Sequence, residues 1–278
     1  MISTKIILPV LGGAVAATMM LGAIPAIADT TLGVNATAAV TVTPSTGVDA
    51  QVKANAAARL PEVIARGDAD IAARIDALNK LNTRVQGLKN ESDAEKAGIA
   101  TQVQTNIAGL TTLKAKIDAD TDVAIARTDD QSIFTDYRVY ALVVPQGWIL
   151  AAADRVNTIG GLMTTLSAKL QTRISADQTA GKDVTALTAA LSDMNAKISA
   201  AATASASASA SITGLTPDQG DKTVAAANKA ALVAARAQIK TATADLQAAR
   251  KDVTTIVAGL KSLDAKASAS TSVSGGQQ

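Results

Sequence analysis

The chain has 278 residues, with 26 Lys and Arg against 24 Asp and Glu and neither Cys nor His. Lacking thiol and imidazole, it holds no disulfide framework, no Cys/His zinc site and no Ser-His-Asp or Cys-His catalytic set. The near-neutral balance speaks against a nucleic-acid binder, and 61 Ala beside four aromatic residues imply thin cores.

The first element is a leader. Lys5 precedes an uncharged run over 6–28 that ends in Pro25-Ala26-Ile27-Ala28. This reads as a signal peptide over 1–28, cleaved near Ala28, with a secreted or extracytoplasmic destination in the periplasm or at the cell surface. Retention as an anchor is the alternative, although Pro9, Gly12, Gly13 and Pro25 make a poor membrane helix. Cleavage removes Lys5 and lowers the net charge from +2 to +1. Residues 29–48, rich in Thr, Val and Gly, read as an extended linker with a short strand at 38–43.

Residues 49–127 read as a helical hairpin. Ile64, Ile71, Leu78 and Val85 recur every seven residues, and Pro61 is expected to kink the helix or mark an early turn. Ser92 with Glu95 forms a capping box that opens a second helix. That helix carries Ile99, Val103, Asn106, Leu110, Leu113 and Ile117 at alternating spacings of four and three. Residues 128–147 break the pattern as an aromatic and apolar connector. A second hairpin follows over 148–213, with Ile149, Ala152, Val156, Ile159, Met163, Leu166 and Leu170 on one seam, a turn at Gly181 and Asp183, and Val184, Leu187, Leu191, Met194 and Ile198 on the returning helix. Its end, Ser199–Ser211, alternates Ala and Ser and is compatible with helix or linker.

Thr216-Pro217-Asp218-Gln219 predicts the start of a long helix within 214–267, with Ala235, Ala242 and Ala249 seven residues apart on its seam. Small side chains there let a partner helix approach closely. The Ser/Gly/Gln-rich stretch 268–278 reads as a disordered tail. The expected fold is all-α: an elongated antiparallel bundle of coiled-coil hairpins with about five helices and a short strand-like or irregular segment near 137–147.

All four aromatic residues, Phe134, Tyr137, Tyr140 and Trp148, fall within fifteen residues. Tyr137–Val144 is β-branched and aromatic and reads as a strand, with Pro145-Gln146-Gly147 as a turn. Three roles follow for Phe134, Tyr137, Tyr140, Val143 and Trp148. They form a structural knot, a surface for a protein partner, or a tongue that enters a membrane through 139–150. In architecture alone, the leader, long helices and single apolar tongue are similar to secreted α-helical pore-forming toxins.

Asp118, Asp120, Asp122 and Asp129 occupy positions 1, 3, 5 and 12 of a calcium-loop pattern, but Val123 replaces the turn glycine and Asp129 the longer Glu. They read as solvated carboxylates, and no metal or cofactor is implied. Asp136 and Asp154 near the aromatic residues could in principle do acid–base work, yet carboxylates at a turn more often cap helices or pair with Arg. No catalytic residue is assigned. The expectation is a cell-envelope structural or adaptor protein that binds a protein partner or self-associates through its seams, in which Asn82, Asn106 and Asn228 set register. A membrane-active protein and a periplasmic holdase are the alternatives.

Overall fold

The computed structural model describes Thr46–Ser274. The leader, most of the linker and residues 275–278 lie outside the described residues. Among those described there is no strand, and six α-helices follow one another: α1 (Thr46–Gln86), α2 (Asp93–Asp118), α3 (Val123–Thr135), α4 (Val144–Thr179), α5 (Thr185–Ile212) and α6 (Lys222–Ser274). A single π-turn, Val139–Val143, runs directly into α4. No described helix is long and apolar enough to cross a membrane.

The bundle follows the seam spacing. Ile71, Leu78 and Val85 of α1 meet Val103, Leu110 and Ile117 of α2, all fully buried. The Ser92–Glu95 capping box is formed, Ser92 Oγ accepting from the Glu95 amide and the Glu95 carboxylate accepting from the Ser92 amide. In the second half, α5 packs along α6 and α4 lies against both, although Ile159 and Leu166 of its expected seam stand more than one third exposed. Ala235, Ala242 and Ala249 of α6 are completely buried, so the backbones pack closely along that seam. Ser199–Ser211 is helix throughout, because Ala201, Ser205, Ala208 and Ser209 bury its small face. The Ser205 hydroxyl donates to the Ala153 carbonyl of α4 at 3.2 Å.

Several boundaries differ from the sequence reading. α1 starts at Thr46, inside the expected linker, and continues through Pro61 without ending there. α3 is an additional helix: the Asp122 carboxylate accepts from the amides of Ala124 and Ile125 and starts it within the expected hairpin, from where it runs into the residues expected to be a connector. α6 starts at Lys222 and not at Thr216. Asp221 is its effective cap, accepting from the Thr223 and Val224 amides, while Asp218 is drawn away to Arg138. α6 also continues to Ser274, through residues expected to be a tail, in keeping with the helix propensity of its Ala-rich sequence.

The strand expected over Tyr137–Val144 does not form: Tyr137 and Arg138 lie in the connection after α3, the residues from Val139 are helical, and so is the expected turn Pro145-Gln146-Gly147. The buried positions Val139, Leu142, Val143, Gln146, Ile149, Leu150, Ala153 and Val156 continue the helical seam upstream of Trp148. A strand would have buried every second residue. Pro145 falls in the first turn of α4, directly after the π-turn, and first-turn positions are where a helix accommodates proline best. The β-branched run thus yields to burial against α1 and α2, as tertiary packing outweighs local propensity.

Candidate functional site

The five aromatic-region residues part company in the fold. Val143 is fully buried and belongs to the core. Tyr137 is half-buried and packs against Gly109 of α2 so closely that a β-carbon there would sit 2.5 Å from the ring. Burial, assisted by the Asp136 carboxylate, pushes the Tyr137 hydroxyl above its ordinary pKa. Phe134, Tyr140 and Trp148 instead reach the surface, with 45%, 52% and 52% of their area exposed.

The exposed rings are organised by arginines of α1. The Arg74 guanidinium lies 4.4 Å from the Phe134 ring centre and 5.2 Å from that of Tyr140. Its own charge is held by the carbonyl and carboxylate of Asp70, one turn earlier, at 2.8 and 2.9 Å. Tyr140 is fixed a second way, its hydroxyl donating to the Ala73 carbonyl at 3.2 Å. Arg84 lies 4.1 Å over Trp148. Such stacking is worth about 0.5–1 kcal/mol at exposed sites and holds each ring at a defined angle.

Two adjoining recesses, of about 370 and 320 Å³, lie between these rings and α6 and share Pro145 and Arg236. Tyr140, Trp148, Ile239 and the exposed Val233 form apolar walls, and Lys229 and Arg236 of α6 supply positive charge. Among the described residues, Arg84, Lys229 and Arg236 have no ion-pair partner. Arg138, at the same groove, is fully committed: Nε and Nη2 donate to both oxygens of Asp218 at 2.7 and 2.9 Å.

Three of the four carboxylates of the calcium-like pattern are engaged in local roles. Asp118 pairs with Lys114, Asp122 caps α3 and Asp129 pairs with Lys116. Desolvation, followed by the neighbouring Asp129 charge, raises the pKa of Asp120. Among the described residues no three acidic side chains converge on a metal position.

A second polar cluster ties the α1–α2 loop to α4 and α5. Glu91 is 7% exposed and accepts from Asn157 Nδ2 and Ser209 Oγ, both at 3.0 Å. Asp154 accepts from the amides of Lys89 and Asn90 at 2.8 and 2.6 Å. Desolvation pushes Glu91 up to about 7, with the Glu95 and Asp154 charges adding to the shift. The folded protein therefore holds a proton on Glu91 between about pH 4.5 and 7 that the unfolded chain has released. Folding stability falls as pH rises through that window. Urea unfolding is expected to show a loss of about 1–2 kcal/mol between pH 5 and 8, after allowance for solvent screening. The slope should vanish in Glu91→Gln; an unchanged slope in that variant refutes the assignment. Asp93, Asp183 and Asp218 are shifted downward, so their effects fall at lower pH.

Comparison with protein-family models, with curated proteins and with solved structures gives no match.

Proposed function

We propose that the protein is an extracytoplasmic helical adaptor that binds an acidic, apolar-faced segment of a partner protein along the groove between α6 and the Tyr140–Trp148 rings. The observation that carries this reading is the pairing of two half-exposed, arginine-stacked aromatic rings with three cations that have no ion-pair partner among the described residues. Aromatic and Arg side chains in a recess supply most of the energy of protein interfaces, and complementary charge selects and steers the partner. Export rests on the leader pattern around Pro25–Ala28. Insertion of Val139–Leu150 into a membrane is less favoured, because Val139, Leu142, Val143, Ile149 and Leu150 would have to leave the core.

The test expresses the chain from Met1. Mass spectrometry of the exported product should give an N-terminus at Asp29; retention of Met1 removes cleavage from the reading. Emission from Trp148, the single Trp, is then followed during titration with an amphipathic Glu/Leu helical peptide, its Lys/Leu counterpart and anionic phosphatidylglycerol vesicles. The expected result is a saturable blue shift with the Glu/Leu peptide alone, weakened by salt and at least tenfold weaker in Arg236→Glu. A response to vesicles alone replaces the reading with membrane contact, and equal response to both peptides overturns it.

A further inference from the structure

The loop between α1 and α2 is fastened to the second half of the molecule mainly by polar groups, away from the groove. Of residues 87–92 only Leu88 brings a large apolar side chain to the core. The other ties are hydrogen bonds. The Asp154 carboxylate of α4 accepts from the amides of Lys89 and Asn90, and Asn90 Nδ2 donates to Thr158 Oγ1 of α4 at 2.7 Å. Glu91 reaches α4 and α5 at once, through Asn157 Nδ2 and Ser209 Oγ. A segment held by so few apolar contacts opens more readily than the core beneath it.

The chemistry of this contact makes its opening depend on a proton. Asn157 Nδ2 only donates, so Glu91 Oε1 is an acceptor in either state. The Ser209 hydroxyl donates or accepts. Glu91 Oε2, 3.0 Å from it, therefore has room to carry a proton and donate to that hydroxyl at the same distance. Without the proton, a buried charge is left facing two neutral groups, which is costly.

The surrounding charges raise that cost. Glu95 of α2, which accepts from Ser92, and Asp154 of α4 are both acidic, and neither is in an ion pair among the described residues. The cations nearest in sequence do not answer them. Lys96 of α2 is drawn to the Asp93 carboxylate and the Leu88 carbonyl, while Lys89 and Arg155 form no ion pair among the described residues. α5 carries no charged residue after Lys197, and no α6 residue bonds to Glu91. Ionised Glu91 is thus a third carboxylate in one contact without a paired cation, and like charges at short range disfavour that state.

We infer that Glu91 is a proton-operated latch: protonated, it clasps the α1–α2 loop to α4 and α5, and ionised, it releases the loop while α4, α5 and α6 stay packed. The proton leaves at about pH 7, so the latch turns between mildly acidic and mildly alkaline surroundings. The free energy lost on ionisation then appears as local opening, which bares Leu88, before it appears as global unfolding.

Amide hydrogen exchange of the full chain tests this, read by mass spectrometry at pH 5.5 and pH 8.5 and corrected for the pH dependence of intrinsic exchange. Protection of residues 87–92 should fall about tenfold at the higher pH, while residues 246–260 of α6 keep theirs. Glu91→Gln should hold the loop closed at both pH values, because its amide donates to Ser209 and accepts from Asn157 as the protonated acid does. Arg236→Glu, which disables the groove, should leave the pH response intact, so failure here is distinguishable from failure of the adaptor reading. Equal protection of the loop at both pH values overturns the inference, as does a pH response that persists in Glu91→Gln. A loss shared equally by 87–92 and 246–260 also overturns it, because the bundle then opens as a whole.

Discussion

Arg138→Ala is expected to destabilise the fold by about 2–3 kcal/mol at neutral pH. The substitution leaves the Asp218 carboxylate, 4% exposed, without the guanidinium that bonds both its oxygens. Removing one partner of a buried pair costs several kcal/mol, and the figure is lower here because Arg138 is 30% exposed and water replaces part of the loss. The loss should shrink in acid. Arg138, ahead of the Gly220 amide, holds the Asp218 carboxyl below its ordinary range. The stability from that shift is present above the unfolded carboxyl's pKa and disappears as pH falls through the folded value. Arg138 also sits at φ +46, the left-handed region that costs a side chain about 1–2 kcal/mol. Arg138→Gly should therefore be less damaging than Arg138→Ala. Guanidinium unfolding of the two variants at pH 7 and pH 3.5 checks both statements, and equal losses in both would refute the backbone contribution.

Gly147→Val should cost about 3 kcal/mol for a different reason. Gly147 of α4 faces Leu81 of α1 so closely that a β-carbon would lie 2.1 Å from Leu81 Cδ1 and 2.9 Å from its Cγ. Leu81 is only 4% exposed and has little room to withdraw. Overpacking of this kind costs about 1–3 kcal/mol, occasionally more. In a Leu81→Ala background the space is available, and the same substitution should become nearly neutral. A double-mutant cycle reads this as a coupling above about 1 kcal/mol. Additive losses would show that the two helices do not meet at these residues.

The sequence made some of this architecture legible and hid the rest for definable reasons. Seams such as Ile71, Leu78 and Val85 could be read because helical burial repeats every three or four residues. The Ser92–Glu95 cap could be read because its atoms lie three residues apart. Asp221 was passed over in favour of Thr216 in the sequence reading because Thr-Pro-Asp-Gln is a stronger local start signal. The competitor that claims Asp218 stands 80 residues away. The segment Tyr137–Val144 was misread as strand because its β-branched content was weighed above its burial period. Four aromatic residues in fifteen drew attention to this region, but only the fold separates the buried Val143 and half-buried Tyr137 from the exposed Phe134, Tyr140 and Trp148. The groove was invisible to sequence, since its walls come from 138–152 and 218–239.

The bonds between Glu91 and Ser209 and between Gln102 and the Leu215 carbonyl span 118 and 113 residues. Helices α1 to α3 form local contacts as soon as they are made, yet their core also contains Ile212, Leu232 and Ala235. The entropy of closing so long a loop must be met before those contacts are gained. On a growing chain the first hairpin therefore waits, half-covered, until α5 has returned and α6 has begun. Completion of the amino-terminal end is thus the late event of folding, although its residues are synthesised first.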